Sequence, residues 1–477
     1  MSRVRLLVKN FILLFTSNVT GQLFFMGGLI HLARTLGPGG FGLWNFAQSW
    51  LMYLFRGGEM GLEVIGVREI ARSHKDTPRW ITAVVLSRCA LAIVLLVCTI
   101  LAAKVGLIPQ DASPLVITFA LLVIPMAFIL EWVFEGHQDL FQVSVARVAK
   151  GLIFLVLVVI FVRSTSDMNL SAFFYVISLT FPIIYVGIIA YRRFGSSGVR
   201  EAHPIFPYLW KSAFPVGVAT LLSQYSLFLG TMVIGYTMQR DQLGYFTASH
   251  RIMIFLWAYI ISSLQRIILP TLSNLHKISS ESYQSFVERF MRFAALVSFG
   301  LGLFVTALAA LIIRLLYSES YDPSIPVLKV LVWAFVMASI RTILEISLLA
   351  SDRQKMYLKG MLGVAFLYTV LTPWMVSLYG IIGAAYAAII VESLYFVFLL
   401  ALWSYERHSD IWKTVVKSFF AVTIAVVAMV VTQLNIFLGI VLAMSLYVGL
   451  LIVTKAFYLT EFVEFPKLVR VVLGKEK

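Results

Sequence analysis

The chain has 477 residues, of which 60% are hydrophobic and 13% charged, with a mean hydropathy of +0.91 and a formal net charge of +15. Soluble domains carry about 25% charged residues, so this composition excludes a water-soluble globular protein and makes length a measure of helices rather than of domains. The positive excess is spread over many short connections facing an anionic leaflet, which argues against nucleic acid as a partner.

A helix needs about twenty apolar residues to cross a hydrocarbon core about 30 Å thick. About fourteen such stretches fill the chain, at 11–33, 43–64, 80–103, 114–134, 145–162, 170–191, 208–236, 243–265, 290–313, 325–349, 357–378, 381–403, 412–432 and 434–456. The pattern predicts an all-α polytopic membrane protein, multi-pass in the cell membrane. Arg3, Arg5 and Lys9 precede the first stretch, which runs on to Ile30 without a small-residue cleavage site and reads as an uncleaved span. With both termini cytoplasmic, the inner connections collect 28 of the 38 Lys and Arg and the outer ones six, the asymmetry of the positive-inside rule. The longest hydrophilic pieces, around 192–207 and 266–289, then fall on the cytoplasmic side.

Motif chemistry is sparse. The chain has no HExxH, GxSxG or P-loop and no metal-spaced Cys/His cluster. The expectation is a non-enzyme with no cofactor and no metal. Gly37-Pro38-Gly39-Gly40-Phe41-Gly42 follows a membrane span rather than a strand, so it reads as the tight turn between spans one and two and not as a phosphate loop. Cys89 and Cys98 share one helix about 13 Å apart, beyond disulfide reach. Pro125, Pro182, Pro215 and Pro373 interrupt spans and allow bends.

Thr35 to Trp50 has a faint echo 202 residues later, with Thr35 on Thr237, Gly42 on Gly244, Trp44 on Phe246 and Ala47 on Ser249. Six spans separate the two, which makes the repeats parallel and relates them by an axis along the membrane normal. The expected organisation is an N-lobe at 1–192 (spans 1–6), a cytoplasmic linker at 193–207, a C-lobe at 208–404 (spans 7–12), and spans 13–14 with a cytoplasmic tail at 405–477.

Four arginines, Arg56, Arg88, Arg251 and Arg341, fall inside spans, where lipid exposure costs about 2.5 to 3.5 kcal/mol per charge. They must face protein, water or a ligand. Asn45, Ser49, Tyr53, Arg56, Glu59 and Glu63 recur every three or four residues and form a polar stripe suited to lining a cavity; the plainer alternative is a local Arg56–Glu59 bridge. Arg341 and Glu345 leave the same two readings open. Arg88 and Arg251 have no acid within a turn, and Arg88 sits roughly 12 Å deep, similar to Arg56. Guanidiniums suit a diphosphate because they offer a planar fork and keep their charge. Arg56 and Arg88 are expected to receive such a group, with Arg251 and Arg341 stabilising it; carbonyl-satisfied or snorkelling arginines are the alternative. Gln224 and Tyr225 are added to the cavity lining. Glu59, Glu63, Glu131, Glu345 and Glu392 are candidates for proton or ion coupling, H+ or Na+, and Glu392 equally for a structural hydrogen bond.

Ala33-Arg34-Thr35-Leu36-Gly37-Pro38 through Phe41-Gly42-Leu43-Trp44, Gly61-Leu62-Glu63 with Val67-Arg68-Glu69-Ile70-Ala71-Arg72, Leu243-Gly244-Tyr245-Phe246-Thr247-Ala248, and Tyr379-Gly380-Ile381-Ile382-Gly383-Ala384-Ala385 together resemble the polysaccharide flippases of the multidrug/oligosaccharidyl-lipid/polysaccharide exporter superfamily, most of all its O-antigen (Wzx-type) branch. The resemblance covers nearly the whole chain. It implies two six-helix lobes in a V-shaped arrangement plus a C-terminal helix pair. It further implies alternating access that carries a polyprenyl (di)phosphate-linked oligosaccharide from the inner to the outer leaflet. Membrane lipids and glycan polymerase machinery are the implied partners, and a monomer the expected state. The chain departs from many relatives in span seven, where Ser223-Gln224-Tyr225-Ser226 stands in place of an acidic residue. The rival readings are a drug or small-solute exporter of the same superfamily, which would suit organic cations, and a membrane glycan polymerase or ligase, which the short outer loops disfavour.

Overall fold

The computed structural model describes residues 3–257, 262–351, 353–407, 411–432 and 435–454. The expected tail beyond 454 and part of the eighth stretch lie outside the described residues. Among the described residues the chain is helical throughout and contains no strand. In chain order the helices are α1 (Arg3–Glu59), α2 (Leu62–Arg72), α3 (Thr77–Lys104), α4 (Ser113–Ala120), α5 (Val123–Met126), α6 (Glu131–Gly136), α7 (Phe141–Phe161), α8 (Met168–Phe194), α9 (Val199–Ala202), α10 (Phe206–Thr237), α11 (Arg240–Leu256), α12 (Ser262–Ile278), α13 (Ser280–Leu316), α14 (Ser324–Ala350), α15 (Gln354–Tyr379), α16 (Ile381–Arg407), α17 (Ile411–Thr432) and α18 (Ile436–Val453).

Eleven segments among the described residues are long and apolar enough to cross a membrane, against about fourteen expected. One source of the difference is structural. The first two expected spans fall in one run, Leu13–Glu59, which is 47 residues and so about 70 Å of helix. Only Gly37, at φ 68° and ψ 178°, leaves helical geometry there, so the expected turn is a sharp break between two helices that adjoin directly. The eighth and fourteenth expected spans are described only in part, as α11 and as Leu438–Val453 of α18. The hydrophilic piece near 266–289 is helical, formed by α12 and the start of α13.

Inter-residue contacts divide the chain into two compact units, Met1–Gly244 and Tyr245–Lys477. In the first unit, α1 and α7 cross backbone to backbone. A Cβ on Gly151 would fall on the Gly21 carbonyl, and one on Gly21 would fall on the Arg147 carbonyl. Small residues of this kind let helices approach closely where lipid supplies no hydrophobic drive between them. Trp44, fully buried, meets Phe119 edge-on at 5.4 Å and Tyr175 at 5.7 Å, with Phe154 at 6.2 Å. That aromatic core joins α1, α4, α7 and α8. Around α2, Leu62, Ile65 and Ile70 pack into a core with Trp132, Phe134, Leu209 and Ala213.

The faint repeat acquires a geometric meaning in this unit. A Cβ on Gly42 would lie 2.6 Å from the Gly244 nitrogen, and one on Gly39 would lie 2.7 Å from Asp241 Oδ1. Both pairs are 202 residues apart, so equivalent positions of the two stretches meet each other, as a local two-fold would place them. Arg240 secures the crossing with two bonds to Asp111, at 2.6 and 2.7 Å, and one to the Gly235 carbonyl at 2.6 Å.

In the second unit, α13, α14 and α16 pack around a core in which α14 is the most enclosed of the eleven spans. Gly380, at φ 62°, turns the chain from α15 into α16, the position expected for a hinge between two spans.

The glycine crossing yields a paired test. Gly151→Ala should lower the melting temperature of the purified protein, in line with an overpacking cost of about 1 to 3 kcal/mol. Gly187→Ala, in α8 with no atom within 4 Å of the added carbon, should leave it unchanged or raise it.

Candidate functional site

The expected polar stripe on α1 does not form one continuous face. Met60 and Gly61, at φ 40° and 74°, end α1 after Glu59, so Glu63 lies in the first turn of α2 instead of on the stripe. Asn45 and Ser49 are fully buried and turn back on their own helix, donating to the Phe41 and Asn45 carbonyls at 2.7 and 2.8 Å. Short polar side chains satisfy themselves in this way without needing a cavity. Tyr53 donates to the Tyr225 carbonyl at 3.2 Å and packs against α10, where Gln224 and Tyr225 are half-buried.

What the break at Met60–Gly61 does is bring two ion pairs together. Arg56 donates to Glu59 at 2.6 Å, the local bridge that i, i+3 spacing allows. Glu63, delivered by α2, accepts from Arg88 Nη2 on α3 at 3.0 Å. Arg88 Nη1 donates to the Ile129 carbonyl at 3.0 Å, in the irregular stretch between α5 and α6. Arg88 Nε is buried and has no acceptor. Of the two, Arg56 is 38% exposed and Arg88 only 3%. Glu59 and Arg88 border a small, partly open cleft whose remaining wall is apolar, from Phe55, Ala92, Val123 and Met126.

Glu131, expected without an obvious partner, is paired. Arg147 of α7 donates to Glu131 at 3.0 Å, to Glu135 at 2.8 Å and to Asn18 Oδ1 at 3.1 Å, tying α6 and α1 to α7. Arg147 is assigned by charge placement to a cytoplasmic connection. The signal pointing to its role was the i, i+4 spacing of Glu131 and Glu135, which presents two carboxylates on one helical face.

In the second unit, Arg251 is buried with His250 beside it, the His250 ring stacking on Phe246 at 5.5 Å. Burial holds the nearby Tyr317 phenol above its usual range, with the Arg251 charge acting in the opposite sense. Arg341, expected to stabilise a phosphate, has its donors committed elsewhere. It is 4% exposed, bonds Glu345 one turn on, and donates Nε to Glu392 of α16 at 2.8 Å. Tyr368 of α15 donates to the other Glu392 oxygen at 3.1 Å, and the Tyr395 ring lies under the guanidinium with its centroid 4.9 Å from Cζ. Glu392 thus has a charged partner that its own helix could not reveal.

A family model described as "Polysaccharide biosynthesis protein" matches residues 7–276, more than half of the chain. The chain belongs to that family. A protein of Escherichia coli (strain K12) named "Putative O-antigen transporter" is 22% identical over 371 residues, covering 76% of this chain and 88% of its own. One of the same name from Shigella flexneri is 22% identical over 405 residues, covering 80% and 93%. Among solved structures, the lipid II flippase MurJ in an inward closed conformation superposes with TM-score 0.73 at 14% identity, over 93% of this chain and 98% of that one. An inward-facing multidrug resistance MATE family transporter of the MOP superfamily gives 0.65 at 18% identity, over 82% and 96%. The polysaccharide-exporter resemblance of the motif stretches is therefore borne out, and the fold is the one these transporters share. Members of the set are named as transporters and flippases.

Loss of Arg147 tests the pairing rule at this site. Arg147→Gln leaves Glu131 and Glu135 without their partner and should destabilise the protein by about 3 kcal/mol, read as a lowered melting temperature. Adding Glu131→Gln and Glu135→Gln should recover part of the loss.

Proposed function

We propose that this protein is a flippase that moves a polyprenyl (di)phosphate-linked oligosaccharide from the inner to the outer leaflet, by alternating access, for surface polysaccharide assembly. Membership of a polysaccharide biosynthesis family and relatives named for O-antigen transport support the cargo class. The fold shared with a lipid II flippase supports the mode of action. The observation that carries the reading is Arg88: a buried guanidinium bordering a largely apolar cleft, with one N–H lacking an acceptor. A phosphate oxygen would complete that guanidinium, and the apolar wall suits the adjoining isoprenoid.

In this reading the chain crosses the membrane fourteen times with both termini cytoplasmic, α1 supplying two crossings through its break at Gly37. Arg56 and Arg88 receive the head group in the first unit, and Arg251 offers the same chemistry in the second. Arg341 is withdrawn from that role because both of its bonded donors engage carboxylates. The protein acts as a monomer, delivers to glycan polymerase machinery, and couples export to H+ or Na+. A drug or small-solute exporter is the second reading, supported by the MATE-type fold.

Deletion of the gene should trap lipid-linked oligosaccharide in the inner leaflet, and the intact gene should release it. Arg88→Gln should cut export by about tenfold or more, the worth of a charge-assisted hydrogen bond, while the protein still accumulates in the membrane. Arg56→Gln serves as the second variant should Arg88→Gln be poorly folded. A deletion strain that shows no trapped glycolipid but gains sensitivity to organic cations would favour the drug exporter.

A further inference from the structure

The two charged clusters differ in their arithmetic. In the first unit Arg56, Arg88, Arg147 and Lys150 face Glu59, Glu63, Glu131 and Glu135, and the charges balance. In the second unit one guanidinium, Arg341 of α14, meets two carboxylates, Glu345 of α14 and Glu392 of α16, and α14 is the most enclosed of the spans among the described residues. No second cation lies within ion-pair distance of either carboxylate among the described residues. The remaining titratable groups facing the cluster are Tyr357 and Tyr368 from α15 and Tyr395 from α16. From α13, Tyr283 donates to the Ser347 carbonyl, with His276 of α12 against its ring. None of these supplies a compensating positive charge at the carboxylates, and a net negative charge buried without a partner is strongly disfavoured. One positive charge is missing.

The oxygens identify it. Of the four carboxylate oxygens, Glu345 Oε1 and Glu392 Oε2 accept from Arg341, and Glu392 Oε1 accepts from Tyr368. That leaves the second oxygen of Glu345. The Tyr395 hydroxyl is turned toward this carboxylate and interacts with it, yet completes no well-aligned hydrogen bond; it is buried, on a residue 4% exposed. A hard metal cation needs several oxygen ligands and would sit against a guanidinium; one open oxygen beside a hydroxyl fits a proton.

We propose that the Glu345–Arg341–Glu392 triad holds a single exchangeable proton on Glu345, presented to the Tyr395 hydroxyl. When the proton leaves, the carboxyl O–H bond breaks, the proton passes to water, and the triad is left with one uncompensated negative charge until it is protonated again. Resting on the export reading, this exchange is the step that couples glycolipid movement to a proton gradient.

The site is tested without substrate by infrared spectroscopy of the purified full-length protein. At neutral pH the wild type should show a protonated-carboxyl stretch that disappears in both Glu345→Gln and Glu392→Gln, since either substitution restores neutrality. Arg341→Gln should add a second protonated carboxyl. The proposal is overturned by a wild type with no such band, or by a band that persists in both glutamine variants; the wild-type measurement decides even if a variant folds poorly. Export is read separately in cells. Wild-type export should follow an imposed pH gradient, and Glu392→Gln should lose that dependence. A band that behaves as expected with export indifferent to the gradient removes the coupling and leaves the proton site. Loss of the band with glycolipid export intact removes the site and leaves the flippase.

Discussion

A guanidinium cannot be left alone inside a membrane, and that requirement organises this molecule. Each arginine cluster in the helical interior meets carboxylates, and mostly the partner arrives from another helix. Arg88 joins α3 to α2 and to the irregular stretch before α6. Arg147 gathers α1, α6 and α7. Arg341 joins α14 to α16. These pairs act as cross-links whose removal from one side leaves a buried charge, so their value lies less in net attraction than in the penalty for every other arrangement.

Close backbone approach is the second device. Gly21 with Gly151, and Gly42 with Gly244, admit a neighbouring main chain that any side chain would hold off. The Met60–Gly61 break belongs to the same class. A Cβ on Gly61 would lie 2.6 Å from the Ala213 carbonyl, while one on Gly217 would press on Met60. The same break that lets α10 approach also turns α2 so that Glu63 reaches Arg88. Packing and charge placement in the first unit are therefore set by one short stretch of unusual backbone.

The motif stretches that reveal the family are largely structural. Trp44 is sealed in an aromatic core, Gly37 breaks a helix, and Gly380 starts a turn. Such residues report how the chain is built, whereas the sites proposed for cargo and proton lie in the charged clusters. The two units treat those clusters differently: one leaves Arg56 partly exposed, and the other closes a triad under tyrosines.

Hydrophobic runs of about twenty residues were enough to identify a polytopic helical membrane protein, because the bilayer acts on each segment separately and in one dimension. Periodicity also exposed Arg56 with Glu59 and Arg341 with Glu345, since a single helix carries both members of each pair. Pairing between helices was out of reach. Glu63 with Arg88, Arg147 with Glu131, and Glu392 with Arg341 lie 16 to 51 residues apart, and only the packed structure brings them within 3.0 Å. Whether an intramembrane arginine is an open cation or a neutralised one is thus a property of three-dimensional proximity: the cost of burying charge compels a partner but does not say from which helix it comes.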